Sequence, residues 1–154
     1  MRFFPASVLI LLLSACLSEP DCLVTATTGV KFSFRDPVTG IAKNVKFHSI
    51  KVTSLGGQLV PPDSLKSIIL PVNPFEPETT FIFEYGAIES GASVIKTDAM
   101  ILTYTSETVI ISPDCGGAIY HTNLAVKDYS FVSPPKVVNT QLSTLATLNV
   151  EVRL

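Results

Sequence analysis

From residue 148 to 154 the chain alternates without a fault. Leu148, Val150, Val152 and Leu154 are apolar, and Asn149, Glu151 and Arg153 are polar. A period of two places all the apolar side chains on one face of an extended strand. The same period recurs upstream. Val30, Phe32 and Phe34 alternate with Lys31 and Ser33, and Phe81, Phe83 and Tyr85 alternate with Ile82 and Glu84. Met100, Leu102 and Tyr104 share a face opposite Ile101, Thr103 and Thr105. No stretch carries a helical apolar period. Strands with one apolar face must bury it against a second layer. The pattern therefore predicts an all-β fold, an antiparallel β-sandwich of the Ig-like or a related kind, with seven to nine short strands. A small β-barrel is the alternative, because alternation does not decide whether a sheet closes on itself.

The segments between these strands carry turn chemistry. Asp36-Pro37-Val38-Thr39-Gly40 reads as a turn. In the next strand Val45 and Phe47 lie on one phase and Ile50 and Val52 on the other, so a β-bulge is expected at His48-Ser49. Gly56-Gly57 signals a hairpin into Gln58-Leu59-Val60, which Pro61-Pro62 stops. Leu65 to Leu70 reads as one buried strand, ended by Pro71-Val72-Asn73-Pro74. Gly86 to Gly91 is a turn region, Ser106-Glu107 turns the chain into Val109-Ile110-Ile111, and Asp114-Cys115-Gly116-Gly117 is a sharp corner. Tyr120, Thr122, Leu124 and Val126 then point one way, with His121 and Asn123 opposite. Residues 127–144 have no period.

The first fifteen residues are different in kind. Arg2 is their only charged side chain, an apolar run follows from Val8 to Leu13, and small residues lead to Cys16. Those are the parts of a secretory signal. The apolar run is far below the ~20 residues that span a bilayer, so it is no membrane anchor. Leu13-Ser14-Ala15-Cys16 looks like a bacterial lipobox, in which the Cys is lipidated and opens the mature chain. On that reading residues 1–15 are a signal peptide, 16–21 a tether and 22–154 a single domain. Each buried lipid methylene contributes about 0.8 kcal/mol, so two or more acyl chains hold the protein firmly at a membrane.

Without residues 1–15 the chain keeps 139 of its 154 residues, enough for one domain with a substantial core. Its charges become 10 Lys+Arg against 13 Asp+Glu, which gives no basic footprint for nucleic acid. With Cys16 lipidated, Cys22 and Cys115 remain as an even pair in an oxidising compartment, and a disulfide is expected. Two buried free thiols are the alternative. A zinc site is disfavoured, because neither Cys lies in a C-x-x-C or at ligand spacing from a His.

The lipobox, a Cys opening the first strand, Leu70-Pro71-Val72-Asn73-Pro74, Leu102-Thr103-Tyr104-Thr105 and Asp114-Cys115-Gly116 occur in that order. Together they resemble a family of small uncharacterised lipoproteins of Bacteroidetes-type bacteria, defined as a domain of unknown function. The resemblance spans essentially the whole mature chain. It implies export, lipid attachment at Cys16, residence in the outer membrane, and an outer-membrane β-barrel or other envelope protein as partner. It implies no catalytic residue. Surface export in such lipoproteins follows a run of acidic residues after the Cys; here Pro20 interrupts Glu19 and Asp21, which favours the periplasmic face.

Chemistry-bearing residues are few. His48 and His121 lie in different strands and read as solvent-facing. No G-x-S-x-G occurs, Gly116-Gly117 opens no helix, and Glu76 and Glu78 flank Pro77 as a solvated loop pair. The sequence therefore leads to a structural or protein-binding module of the envelope, with no catalytic residue, metal or cofactor assigned. A small-ligand carrier or an enzyme at the membrane face, with His48 or His121 at the rim of a cavity, is the other reading.

Overall fold

The computed structural model describes residues 26–53, 57–60, 63–143 and 147–154. Its strands are β1 (Gly29–Arg35), β2 (Val45–Val52), β3 (Gly57–Val60), β4 (Asp63–Leu65) and β5 (Ser67–Pro71), followed by β6 (Glu78–Glu89), β7 (Ala92–Ser112), β8 (Gly116–Tyr129), β9 (Lys136–Val137) and β10 (Val150–Arg153). They form two sheets. One runs β5-β1-β10-β9, and the other runs β3-β2-β6-β7-β8 with β4 paired to β2. Neither closes into a barrel, and the two inner faces share one core, which makes a β-sandwich.

Alternation identifies the core correctly. Val30, Phe32, Phe34, Val150 and Val152 bury from one sheet; Phe81, Phe83, Met100 and Leu102 bury from the other. Phe83 is the hub, its ring centroid lying 5.7 to 6.4 Å from those of Phe32, Phe34, Phe47, Phe81 and Phe131. Aromatic pairs at such spacings add about 0.5–1.5 kcal/mol each beyond their area, so this cluster outweighs any polar contact in the domain. The bulge also falls where the phase slips: Phe47 pairs with Tyr85 but Ser49 with Glu84, leaving His48 as the extra residue. Val45, Phe47, Ile50 and Val52 are thereby all buried.

Four features differ from the sequence reading. The segment from Leu65 to Leu70 is not one buried strand. It splits at Lys66, with β4 on β2 of one sheet and β5 on β1 of the other, and Ile69 on the edge is exposed. Strands that switch sheets at a corner are one way a sandwich is closed at its sides. No turn occurs at Ser106-Glu107: β7 runs unbroken through them for 21 residues. The turn between β6 and β7 needs only Ser90 and Gly91, both at positive φ, since Glu89 already pairs with Ala92. Lastly, the pairing is not wholly antiparallel. β1 and β10 run parallel, Phe32 opposite Val150 and Phe34 opposite Val152.

The segment without a period is held by the burial of Phe131 and Leu142 and by hydrogen bonds to Asn149. Asn149 faces away from the sandwich core in β10's lead-in, yet it is only 2% exposed because residues 138–142 lie over it. Its side-chain oxygen accepts from the Lys31 amide at 3.0 Å, and its nitrogen donates to the Gln141 and Asn139 carbonyls at 2.9 and 3.3 Å. A buried amide with all three partners in place costs little, and here it joins β1 to the aperiodic loop.

Candidate functional site

Three places gather polar side chains, and each is built by an irregularity in the sheet. The first surrounds His121. Along β8 the pairing slips between Thr103 and Thr105, so β8 carries an extra residue, and Asn123 takes positive φ at 57°. The bulge reverses the phase. His121 and Leu124 both turn inward, and His121 is 1% exposed, which corrects its reading as a solvent-facing residue. Asn is among the few residues that tolerate a left-handed backbone, so Asn123 was the available sign of this slip.

His121 Nδ1 lies 3.0 Å from the hydroxyl of Ser106, and its ring meets Tyr104 edge-on at 5.2 Å. The Tyr104 hydroxyl donates to the Asn73 carbonyl at 2.6 Å and shares a 2.7 Å hydrogen bond with Thr79. Burial pushes the imidazole below its ordinary pKa, so the ring is neutral near pH 7. A neutral His beside an exposed Ser is half of a nucleophilic pair. Its Nε2 has no hydrogen-bond partner, however, and a triad needs a third group there to orient the base. The geometry is that of a packed ring held in place by Ser106.

The second place is the β2 bulge. Ser49 donates to Glu84 at 2.5 Å and Lys51 pairs with the same carboxylate at 3.2 Å. The Ser49 hydroxyl first, then Lys51, holds the Glu84 carboxyl below the usual range. His48 is half-buried beside them. His48 and His121 thus sit in separate irregularities and form no joint site. Among the described residues no three His, Cys, Asp or Glu side chains converge as a metal-binding group. Glu76 and Glu78 part company as well: Glu78 starts β6 and pairs with Lys127 at 2.6 Å, while Glu76 stays exposed in the loop.

The third place is a groove of about 530 Å³ at one end of the sandwich. It opens because β2 and β6 diverge. Their ladder stops at Phe47 opposite Tyr85, whereas β6 goes on pairing with β7 as far as Glu89. Gly86 still lies close to the Lys46 carbonyl of β2, and beyond it one edge of residues 87–89 faces the gap without a partner strand. Four cationic residues line it, Lys43, Lys46, Lys96 and Arg153, and Asp36 is the one acidic side chain among the lining residues. Asp36 already accepts from the Val38 and Thr39 amides and the Thr39 hydroxyl. Lys96 is paired with Glu89, and the Lys43 ammonium donates to the Leu154 carbonyl at 2.9 Å. Ile88 and Val132, 81% and 93% exposed, stand at the rim. Sequence reasoning missed this groove, for its cations come from three segments far apart in the chain.

Cys115 is disulfide-bonded. It closes the turn between β7 and β8, its amide donating to the Ser112 hydroxyl at 3.0 Å. Cys22, its expected partner, lies outside the described residues, as do Cys16 and the segments expected to form a signal peptide and a tether.

Two unclosed sheets around one aromatic core, with no helix among the described residues, make this an all-β sandwich protein. Residues 49–152 match the family of unknown function DUF6452, and the chain belongs to that family. The match begins in β2, so it takes in Cys115 and most of the core but not β1, Cys22 or Cys16. Comparison with curated proteins and with solved structures finds no match.

Proposed function

We propose that this chain is a lipid-anchored envelope protein of Bacteroidetes-type bacteria, whose sandwich domain docks on another envelope protein and carries out no catalysis of its own. The observation that carries the reading is Leu13-Ser14-Ala15-Cys16 behind a short apolar run. The bonded state of Cys115 supports it independently, since structural disulfides persist in oxidising compartments outside the cytosol. Cys22 is then the partner of Cys115, with Cys16 carrying the lipid. The protein sits on the periplasmic face of the outer membrane, where a β-barrel is the natural partner. Cys16→Ala should abolish incorporation of labelled palmitate and leave the chain unprocessed or released. Normal labelling of that variant sinks the anchor. Co-purification of wild-type chain from mildly solubilised membranes tests the docking reading; recovery of the chain alone speaks against it.

A further inference from the structure

The geometry points to an occupant for the groove where β2 and β6 diverge: an extended acidic segment of a partner polypeptide, added as a strand to the free edge of residues 87–89. Two independent observations meet there. The edge presents unpaired backbone groups, and such an edge is satisfied by a peptide that continues the sheet. Around it lie four cationic residues on a chain whose net charge is −2. Among the described residues, neither Lys46 nor Arg153 has a side-chain partner, so both are available to an incoming carboxylate. Ile88 and Val132 supply apolar contacts for the alternate side chains of such a segment.

A bilayer fits less well. The groove is concave, and a lipid surface cannot follow backbone groups into a gap between strands. Position argues the same way. β1 enters the domain at Gly29, and the groove lies past its other end at Asp36 and Pro37, about 20 Å along the strand. If the proposed anchor precedes β1, the groove lies at the end of the domain farther from where that strand enters it. The inference rests on the docking reading for its biology, but its test does not need the native partner.

The test uses labelled synthetic peptides of about ten residues alternating Glu and Val, titrated against the purified domain by fluorescence anisotropy. The Glu-Val peptide should bind, weaken with added salt, and bind about tenfold or more tighter than its Gln-Val counterpart. Lys46→Glu with Arg153→Glu, both exposed positions, should remove that preference and favour a Lys-Val peptide, with an unchanged melting curve. Methylating alternate peptide nitrogens should abolish binding in one phase and spare it in the other, because only one phase faces the edge. Equal binding of Glu-Val and Gln-Val peptides overturns the proposal, as does indifference to methylation. So does binding to phosphatidylglycerol vesicles but not to the peptide, or dimerisation in sedimentation velocity that the double variant loses. If co-purification finds no native partner, the docking reading fails while the peptide result stands; if a partner binds the double variant as well as wild type, the groove fails and docking stands.

Discussion

β7 and β8 make one hairpin, but its two halves live in different surroundings. In the half nearer the core, Met100 and Leu102 are fully buried, in the same cluster as Val150 and Val152 of the other sheet. In the half nearer the turn, Val109 and Ile110 stand 38% and 79% exposed although β7 and β8 go on pairing, with a register shift after Ile110, as far as Ser112. The residue types are alike, and so is the extended conformation. What differs is the layer above. The opposing sheet is built of strands two to seven residues long, and it ends before the hairpin does. Alternation tells which face a side chain takes, and length tells whether anything lies over it.

The largest expected effect lies in the covered half of the molecule. Phe83→Ala removes the ring that five others touch and should cost about 3–5 kcal/mol in chemical denaturation. A loss below about 1 kcal/mol would mean that the two sheets are not packed through this cluster. Next comes the tip of the uncovered half. Cys115→Ser should cost about 2–5 kcal/mol, and adding Cys22→Ser should cost almost nothing further, because one bond is being removed twice. Additive losses would show that Cys115 pairs elsewhere; peptide mapping without reduction identifies the partner directly.

His121 sits where the two halves meet. Its folded pKa lies below the unfolded value near 6.5, so the unfolded chain binds the extra proton first as pH falls. Stability should hold above about pH 7 and decline as pH drops through about 6.5, until the folded-state value is passed. His121→Phe, which keeps the ring against Tyr104, should flatten that part of the curve. An unchanged slope between pH 7 and 5 would assign the dependence to other groups. The smallest effect belongs to the outer half: Ile110→Ser should move stability by no more than about 0.5 kcal/mol, as exposed substitutions do. A larger loss would mean that this half is covered in solution.

The residues that were legible beforehand are those whose surroundings their own strand determines. Phe32, Phe34, Phe81, Phe83 and Val152 needed only the period, and the His48 bulge needed only the slip between Phe47 and Ile50. His121 was misread, and nothing in the sequence pointed to the burial of Asn149, for a common reason: each is buried by something distant. Asn123 reverses the phase of β8 for the first, and residues 138–142 cover the second. Lys66 was hidden in the same way, since a strand that changes sheets reads locally like one that does not. The groove depends on where one ladder stops while another continues, which no window on a single strand contains.

The parallel pairing of β1 with β10 has a kinetic consequence. Phe32 meets Val150, 118 positions further along the chain. Loop closure over that distance is slow, and mean sequence separation of contacts is what sets folding rates in β proteins. The hairpins of β6, β7 and β8 can zip early, but until residues 150–153 arrive β1 has only β5 beside it. Half of the core's covering layer is therefore among the last parts to form, and Phe81, Phe83 and Met100 stay open to other chains meanwhile. A domain of this kind completes its folding only once residues 150–153 are free to pair, and until then it persists as an unfinished sheet.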